Sequence, residues 1–345
     1  MSKKEKCPPC RKTSIGGQAL IEGIMMRGPE KSAMAVRRPN GEIFFEEEVI
    51  VKKKRPAFCR WPVVRGIFGF VDSLTMGYKA LMRSSEIFVE ETPEETEAKP
   101  SNVPATEQKE PQSAFSKGTM TAVMIIAVVL AVVLSLGLFM WLPAFLYSKL
   151  ELIMPENWVG NRWLRSAFEG VLKILIIVAY MSLMLLMKDI RRTFMYHGAE
   201  HKTIFCYEHG LPLTVENVKK ERRFHPRCGT SFLILMMLVS ILIGFLIPAE
   251  FEGINPGVYN VVRTAIKLLL FPLNMGIGYE LLKLAGRHDN LLTRIISAPG
   301  VWLQHITVWE PTEDMIECAI KAFVAVIPEG ERETEPQAEQ KNNEA

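Results

Sequence analysis

Two short runs carry residue types that can do chemistry. His197-Gly198-Ala199-Glu200-His201 places two imidazoles at i and i+4 with a carboxylate at i+3, so on a helix all three share one face. Further on, His225-Pro226-Arg227-Cys228-Gly229 adds an imidazole and a thiol. Together they offer four N/S ligands to a tetrahedral divalent ion of the zinc type. The order H-x-x-E-H is also that of the inverted zinc peptidases, in which the His pair binds metal and the Glu activates water. Glu200 is therefore the candidate catalytic residue, and His197, His201, His225 and Cys228 are the candidate metal ligands. Two arrangements stay open. Three protein ligands would leave a reactive position, the third being His225 or a distant carboxylate such as Glu280. A four-ligand set completed by Cys228 would be a closed structural site. A non-metal alternative is a group of polar residues hydrogen-bonded at a membrane interface.

The elements that must position these residues are apolar. Hydrophobic residues make up 48% of the 345-residue chain and fall in runs, which excludes an ordinary soluble protein. The pattern predicts an α-helical integral membrane protein with about four transmembrane helices, at residues 121–140, 167–187, 231–247 and 258–282. The last contains Arg263, Lys267, Pro272 and Glu280 and is the least uniform. Nine Lys/Arg lie in residues 188–230, three in 143–170 and none in 248–257, so the 188–230 loop and both termini are expected on the cytoplasmic side. Six Cys without a signal peptide, two of them in Cys7-Pro-Pro-Cys10, point to reduced thiols rather than a secreted disulfide framework.

Around the bundle, residues 1–60 form a basic cytoplasmic region. Residues 14–29 read as a glycine-rich, turn-rich packing segment containing Gly16, Gly17, Gln18, Glu22 and Arg27. Residues 33–54 read as a small β-hairpin, with a type I′ turn at Asn40-Gly41. Residues 61–88 predict an amphipathic interfacial or re-entrant helix, and 89–118 an acidic linker too polar to pack. The transmembrane bundle then occupies 119–285, with its cytoplasmic loop at 188–230. Residues 286–327 hold a C-terminal amphipathic helix that starts after the N-cap residue Thr312 and presents Ile316, Ala319, Ile320 and Phe323. A polar tail, 328–345, follows.

The chain resembles the YqhQ-like family of bacterial multi-span membrane proteins over about residues 14–327. The N-terminal likeness is Gly16-Gly17-Gln18-Ala19 with Glu22-Gly23 and Met25-Met26-Arg27. The central one is His197-Gly198-Ala199-Glu200-His201-Lys202 with Glu216-Asn217 and His225 through Phe232, Arg227 included. The C-terminal one is Gln304, Thr307, Glu310-Pro311 and Glu317, where Val308 and Trp309 depart from the Thr-basic pair expected. The resemblance implies a bacterial cytoplasmic membrane location. Members are often labelled predicted metal-dependent enzymes, on the same His/Glu pattern read above.

The function expected from these residues is a metal-dependent, zinc-type, hydrolase-like membrane enzyme with its site at the cytoplasmic interface. The alternative is a non-enzymatic scaffold or assembly factor with a structural metal or none. Expected partners are the bilayer, anionic headgroups at the basic face and a cytoplasmic or membrane protein; no specific nucleic-acid binding is expected.

Overall fold

In the computed structural model, which describes residues 13–51, 55–89, 117–248, 255–287, 290–328 and 330, the glycine-rich segment is a hairpin. β1 (Gly16–Leu20) and β2 (Gly23–Arg27) pair antiparallel, joined by Ile21 and Glu22, and β3 (Lys31–Arg37) and β4 (Ile43–Val49) continue the meander in the order β1-β2-β3-β4. The packing segment expected at 14–29 is thus corrected to two strands. Its glycines hid an alternation that buries both faces. Leu20, Met25, Met34 and Val36 meet Ala80 and Ile87 of α1 (Val64–Val89) on one side. Ile24, Met26, Ala33 and Ala35 meet Tyr196 and Ala199 of α5 (Lys188–Glu208) and Ile316, Ala319 and Phe323 of α11 (Glu313–Val326) on the other.

The hairpin around Asn40-Gly41 forms, but not with the type I′ turn expected. Arg38 N–H donates to Glu42 O and Gly41 N–H to Arg38 O, both at 2.9 Å, and of the loop residues only Gly41 has positive φ, at 89°. Proline at 39 fixes a negative φ at the start of the turn. The glycine alone then takes the left-handed position of a three-residue loop.

Two compact units divide the chain. The first contains the sheet, α1, α5, α6 (Val215–Lys220), most of α7 (Gly229–Gly244), nearly all of α9 (Phe271–Arg287), α10 (Leu291–Thr307) and α11. α11 starts where Thr312 predicts, although the Thr312 hydroxyl makes no capping bond. α10 is held at its start by a reciprocal capping box between Asn290 and Thr293. On α1, Val71, Leu74, Tyr78 and Met82 form an exposed apolar stripe at helical spacing.

The second unit contains α2 (Lys117–Leu136), α3 (Leu142–Glu151), most of α4 (Arg162–Met184) and α8 (Pro256–Leu269). α2 runs through a π-helical stretch, Gly137–Trp141, into α3. Ile125–Glu151 and Arg162–Met184 are long and apolar enough to cross a membrane, and a third span is reached if α8 and α9 count as one. That pair is interrupted at Leu270, where Pro272 removes a donor and crowds the preceding turn. α7 is apolar but has only 16 residues. The structure therefore supports two or three spans where the sequence predicts four. Cys7, Cys10, most of the expected linker and most of the tail lie outside the described residues.

Candidate metal centre

α5 is an unbroken helix of 21 residues, so the i, i+3, i+4 spacing is realised: His197, Glu200 and His201 lie on one face, the two imidazole rings 4.5 Å apart. Cys228, just before α7, joins them. His197, His201 and Cys228 each offer one ligand atom, and these atoms lie within 4.8 Å of one another.

Both imidazoles are oriented from behind. His197 Nδ1 donates to the carbonyl of Thr307 at 3.0 Å, which turns Nε2 to Cys228 Sγ at 3.1 Å. His201 Nδ1 donates to the carbonyl of Arg223 at 2.5 Å, and its Nε2 is buried with no hydrogen-bond partner. Fixing Nδ1 on a carbonyl leaves Nε2 of each ring for a second partner: that of His197 meets the Cys228 sulfur, and that of His201 is the unpartnered nitrogen a metal ligand requires. Backbone proximity makes this possible. A Cβ at Gly198 would fall 1.9 Å from the carbonyl oxygen of Trp309, whose N–H donates to Phe194 O at 2.9 Å. Only glycine lets α5 approach the segment after α10 closely enough for His197 to reach Thr307.

Cys228 is placed by a clasp on its loop. Gln304 of α10 accepts from the His225 N–H at 2.8 Å and donates to the His225 carbonyl at 2.7 Å, with both groups buried. Glu200 is placed from the sheet: the Gly17 N–H of β1 donates to its Oε1 at 2.8 Å.

The electrostatics are those of a coupled thiol and imidazole. Burial pushes the Cys228 thiol up, but His197 and His201 outweigh it and hold the thiol well below its ordinary range. Burial disfavours the His197 cation, yet Cys228 and Glu200 carry its pKa up to about 9. Burial raises the Glu200 carboxyl, against the pull of both imidazoles and with a further push from Cys228.

His225, the fourth expected ligand, is not in the cluster. Its Nε2 faces Glu208 Oε2 at 3.9 Å and the Arg227 guanidinium at 3.4 Å. Arg227 also pairs with Glu208 Oε1 and donates to Thr13 O at 2.9 Å, while Thr13 N–H donates to Glu208 at 2.8 Å. These residues tie Thr13, just before β1, to the 225–228 loop. Glu280 is likewise elsewhere, in a bidentate pair with Arg65 on α1.

The remaining motif residues support the centre or sit apart from it. Lys202, buried, pairs with Glu310 and donates to Lys219 O at 2.8 Å. Glu22 holds a left-handed turn, φ 49°, and pairs with Arg192 on α5. The Asn217 N–H donates to the hydroxyl of Thr214, the cap of α6, and Glu216 makes an exposed pair with Lys220. Gln18 donates to Gly77 O at 3.4 Å. Gly16, Gly17 and Arg27 line a cavity of about 280 Å³ with Ser14, Ser73 and Met76. Sequence reasoning missed Gly198 and the carbonyls of Thr307 and Arg223, because a backbone acceptor has no signature in residue type.

Residues 61–329 match the family described as "Protein of unknown function (DUF1385)". The chain belongs to this family. It is 32% identical over 324 residues, 93% of either chain, to "Uncharacterized protein YqhQ" of Bacillus subtilis (strain 168). No solved structure matches it. The DUF1385 segment holds the whole His197/Glu200/His201/Cys228 group, while Gly17, which anchors Glu200, precedes it.

Proposed function

We propose that the protein is a metal-dependent, hydrolase-like membrane enzyme whose site lies at the cytoplasmic interface. The observation that carries this reading is the buried, unpartnered Nε2 of His201, beside His197 and Cys228. A buried polar atom without a partner is costly, and a lone pair so placed fits a cation. The donor set fits zinc or a similar borderline ion.

His197, His201 and Cys228 would hold the ion, and three protein ligands leave a position for a small molecule. Such an ion supplies Lewis acidity and lowers the pKa of a bound water. Glu200 would then move the proton. Its Oε1 is engaged by Gly17, leaving Oε2 to accept and return it, and burial holds the carboxyl above its ordinary value, which favours taking up a proton. The basic 188–230 loop supports a cytoplasmic placement, and the exposed stripe of α1 supports contact of that helix with the bilayer interface.

One observation favours the second reading, a structural ion in a scaffold: Glu200, His201 and Cys228 are 6%, 1% and 7% exposed. Glu200→Gln separates the two. It keeps every ligand, so metal content and melting temperature should persist. The catalytic reading requires loss of complementation of a deletion strain, since a general base contributes about a hundredfold or more in rate. Full complementation by a folded, metal-loaded Glu200→Gln protein would defeat it.

A further inference from the structure

A second group of ionisable side chains, in the other unit, is not explained by the chemistry at α5. Apolar helix α4 carries Arg165, Glu169 and Lys173 at i, i+4 and i+8, and α8 carries Arg263 and Lys267 at i and i+4. Each set lines one face of its helix. Arg165, Glu169 and Arg263 are buried.

Glu169 is the hub. Its Oε1 accepts from Arg165 Nε at 3.2 Å and lies 3.5 Å from Arg263 Nε, and its Oε2 is held by Lys267 Nζ. A second carboxylate, Glu151 of α3, lies 3.9 Å from Arg165. The other partners of the two guanidinium groups are neutral. Arg263 donates to Ser166 Oγ at 3.0 Å, Tyr259 Oη at 3.1 Å and Pro248 O at 3.2 Å, and Arg165 donates to Asn260 Oδ1.

Among the described residues the basic and acidic groups do not balance: four basic side chains, Arg165, Lys173, Arg263 and Lys267, stand against two carboxylates, Glu151 and Glu169. Lys173 has no hydrogen bond or ion pair among the described residues, and Arg263 Nε has no hydrogen bond. Lys173 lies one helical turn from Glu169, the carboxylate that holds Lys267 and faces Arg263. A network that only pinned helices together would have no use for surplus cations, because unmatched charge in apolar surroundings is costly.

We propose that Lys173, Lys267 and Arg263 form a binding site for a phosphate-bearing anion. A carboxylate would bring one negative charge, whereas a phosphate monoester brings close to two at neutral pH, together with acceptor oxygens suited to guanidinium and ammonium donors. The site uses no residue of the metal centre. Lys173 is itself half-buried, so the group is reachable by a path along the surface of the apolar helix α4. That path suits a lipid headgroup, and a soluble phosphate would satisfy the same donors.

The test is thermal unfolding of the full-length protein in a neutral, phosphate-free detergent, wild type beside Lys173→Gln. One arm titrates inorganic phosphate against chloride at matched ionic strength. The other dopes the micelles with phosphatidic acid or phosphatidylcholine. The melting temperature of the wild type should rise with phosphate or phosphatidic acid and not with their controls. In Lys173→Gln the midpoint of that rise should weaken about tenfold or more, while the protein without anion is at least as stable as the wild type. A response to phosphate alone identifies a soluble ligand, and one to phosphatidic acid alone identifies a headgroup. No response in either arm, or an identical response in Lys173→Gln, overturns the proposal.

Discussion

Gly17 and Glu200, 183 residues apart, are joined by one hydrogen bond from backbone to carboxylate, 2.8 Å long. It fixes Glu200 beside His197 and His201 without spending another side chain in the site. Gly17 must also be small. A Cβ there would lie 2.7 Å from Met25 O, 2.8 Å from Met26 Sδ and 3.1 Å from the Glu200 carboxyl carbon.

Gly17→Ala should therefore disturb both strand and site. The Met26 side chain can give way, but the Met25 carbonyl cannot, and overpacking of this kind costs about 1–3 kcal/mol. The expected outcome is a lower melting temperature together with weakened complementation. A Gly17→Ala protein that melts and complements like the wild type would show that Glu200 is not held from the sheet.

Much of this architecture was legible in the sequence, and the reason differs by element. Spacing alone put His197, Glu200 and His201 on one helical face, because helical period is a local property. Cys228 was legible as a candidate ligand by type, and it does join the two imidazoles. His225 was equally eligible by type, and only the tertiary placement of Glu208 and Arg227 turns it away. The β1–β2 hairpin was obscured because Gly16, Gly17 and Gly23 interrupt its alternation, and what makes it a sheet is burial between α1 and the α5/α11 pair. The α8/α9 interruption was signalled by Pro272, which can also sit inside a kinked span, so residue type did not decide between the two.

Acid should loosen the loop that carries Cys228. Burial raises the Glu208 carboxyl, but the nearby His225 imidazole and hydrogen bonds from Arg227 and the Thr13 N–H outweigh it and hold its pKa below the ordinary carboxylate value. A carboxyl depressed in the folded state contributes stability that is fully present above the unfolded pKa, about 4.3, and is lost as pH falls through the folded value. Melting temperature should thus fall below about pH 4.3, and Glu208→Gln should flatten that fall while lowering stability at neutral pH. An unchanged acid profile in Glu208→Gln would assign the acid sensitivity to other groups.

The proposed topology makes a direct prediction at Leu211, which is exposed in the turn after α5. A Leu211→Cys variant should resist an impermeant thiol reagent in intact cells and react after permeabilisation. Labelling in intact cells would invert the orientation.

The central claim is that His197, His201 and Cys228, without His225, hold a divalent ion. The most direct measurement is the metal content of detergent-purified protein for the wild type, His201→Ala, Cys228→Ala and His225→Ala. The expected result is about one equivalent in the wild type, loss in His201→Ala and Cys228→Ala, and retention in any His225→Ala protein that remains folded. A metal-free wild type, or loss of metal from folded His225→Ala equal to that from His201→Ala, would contradict it.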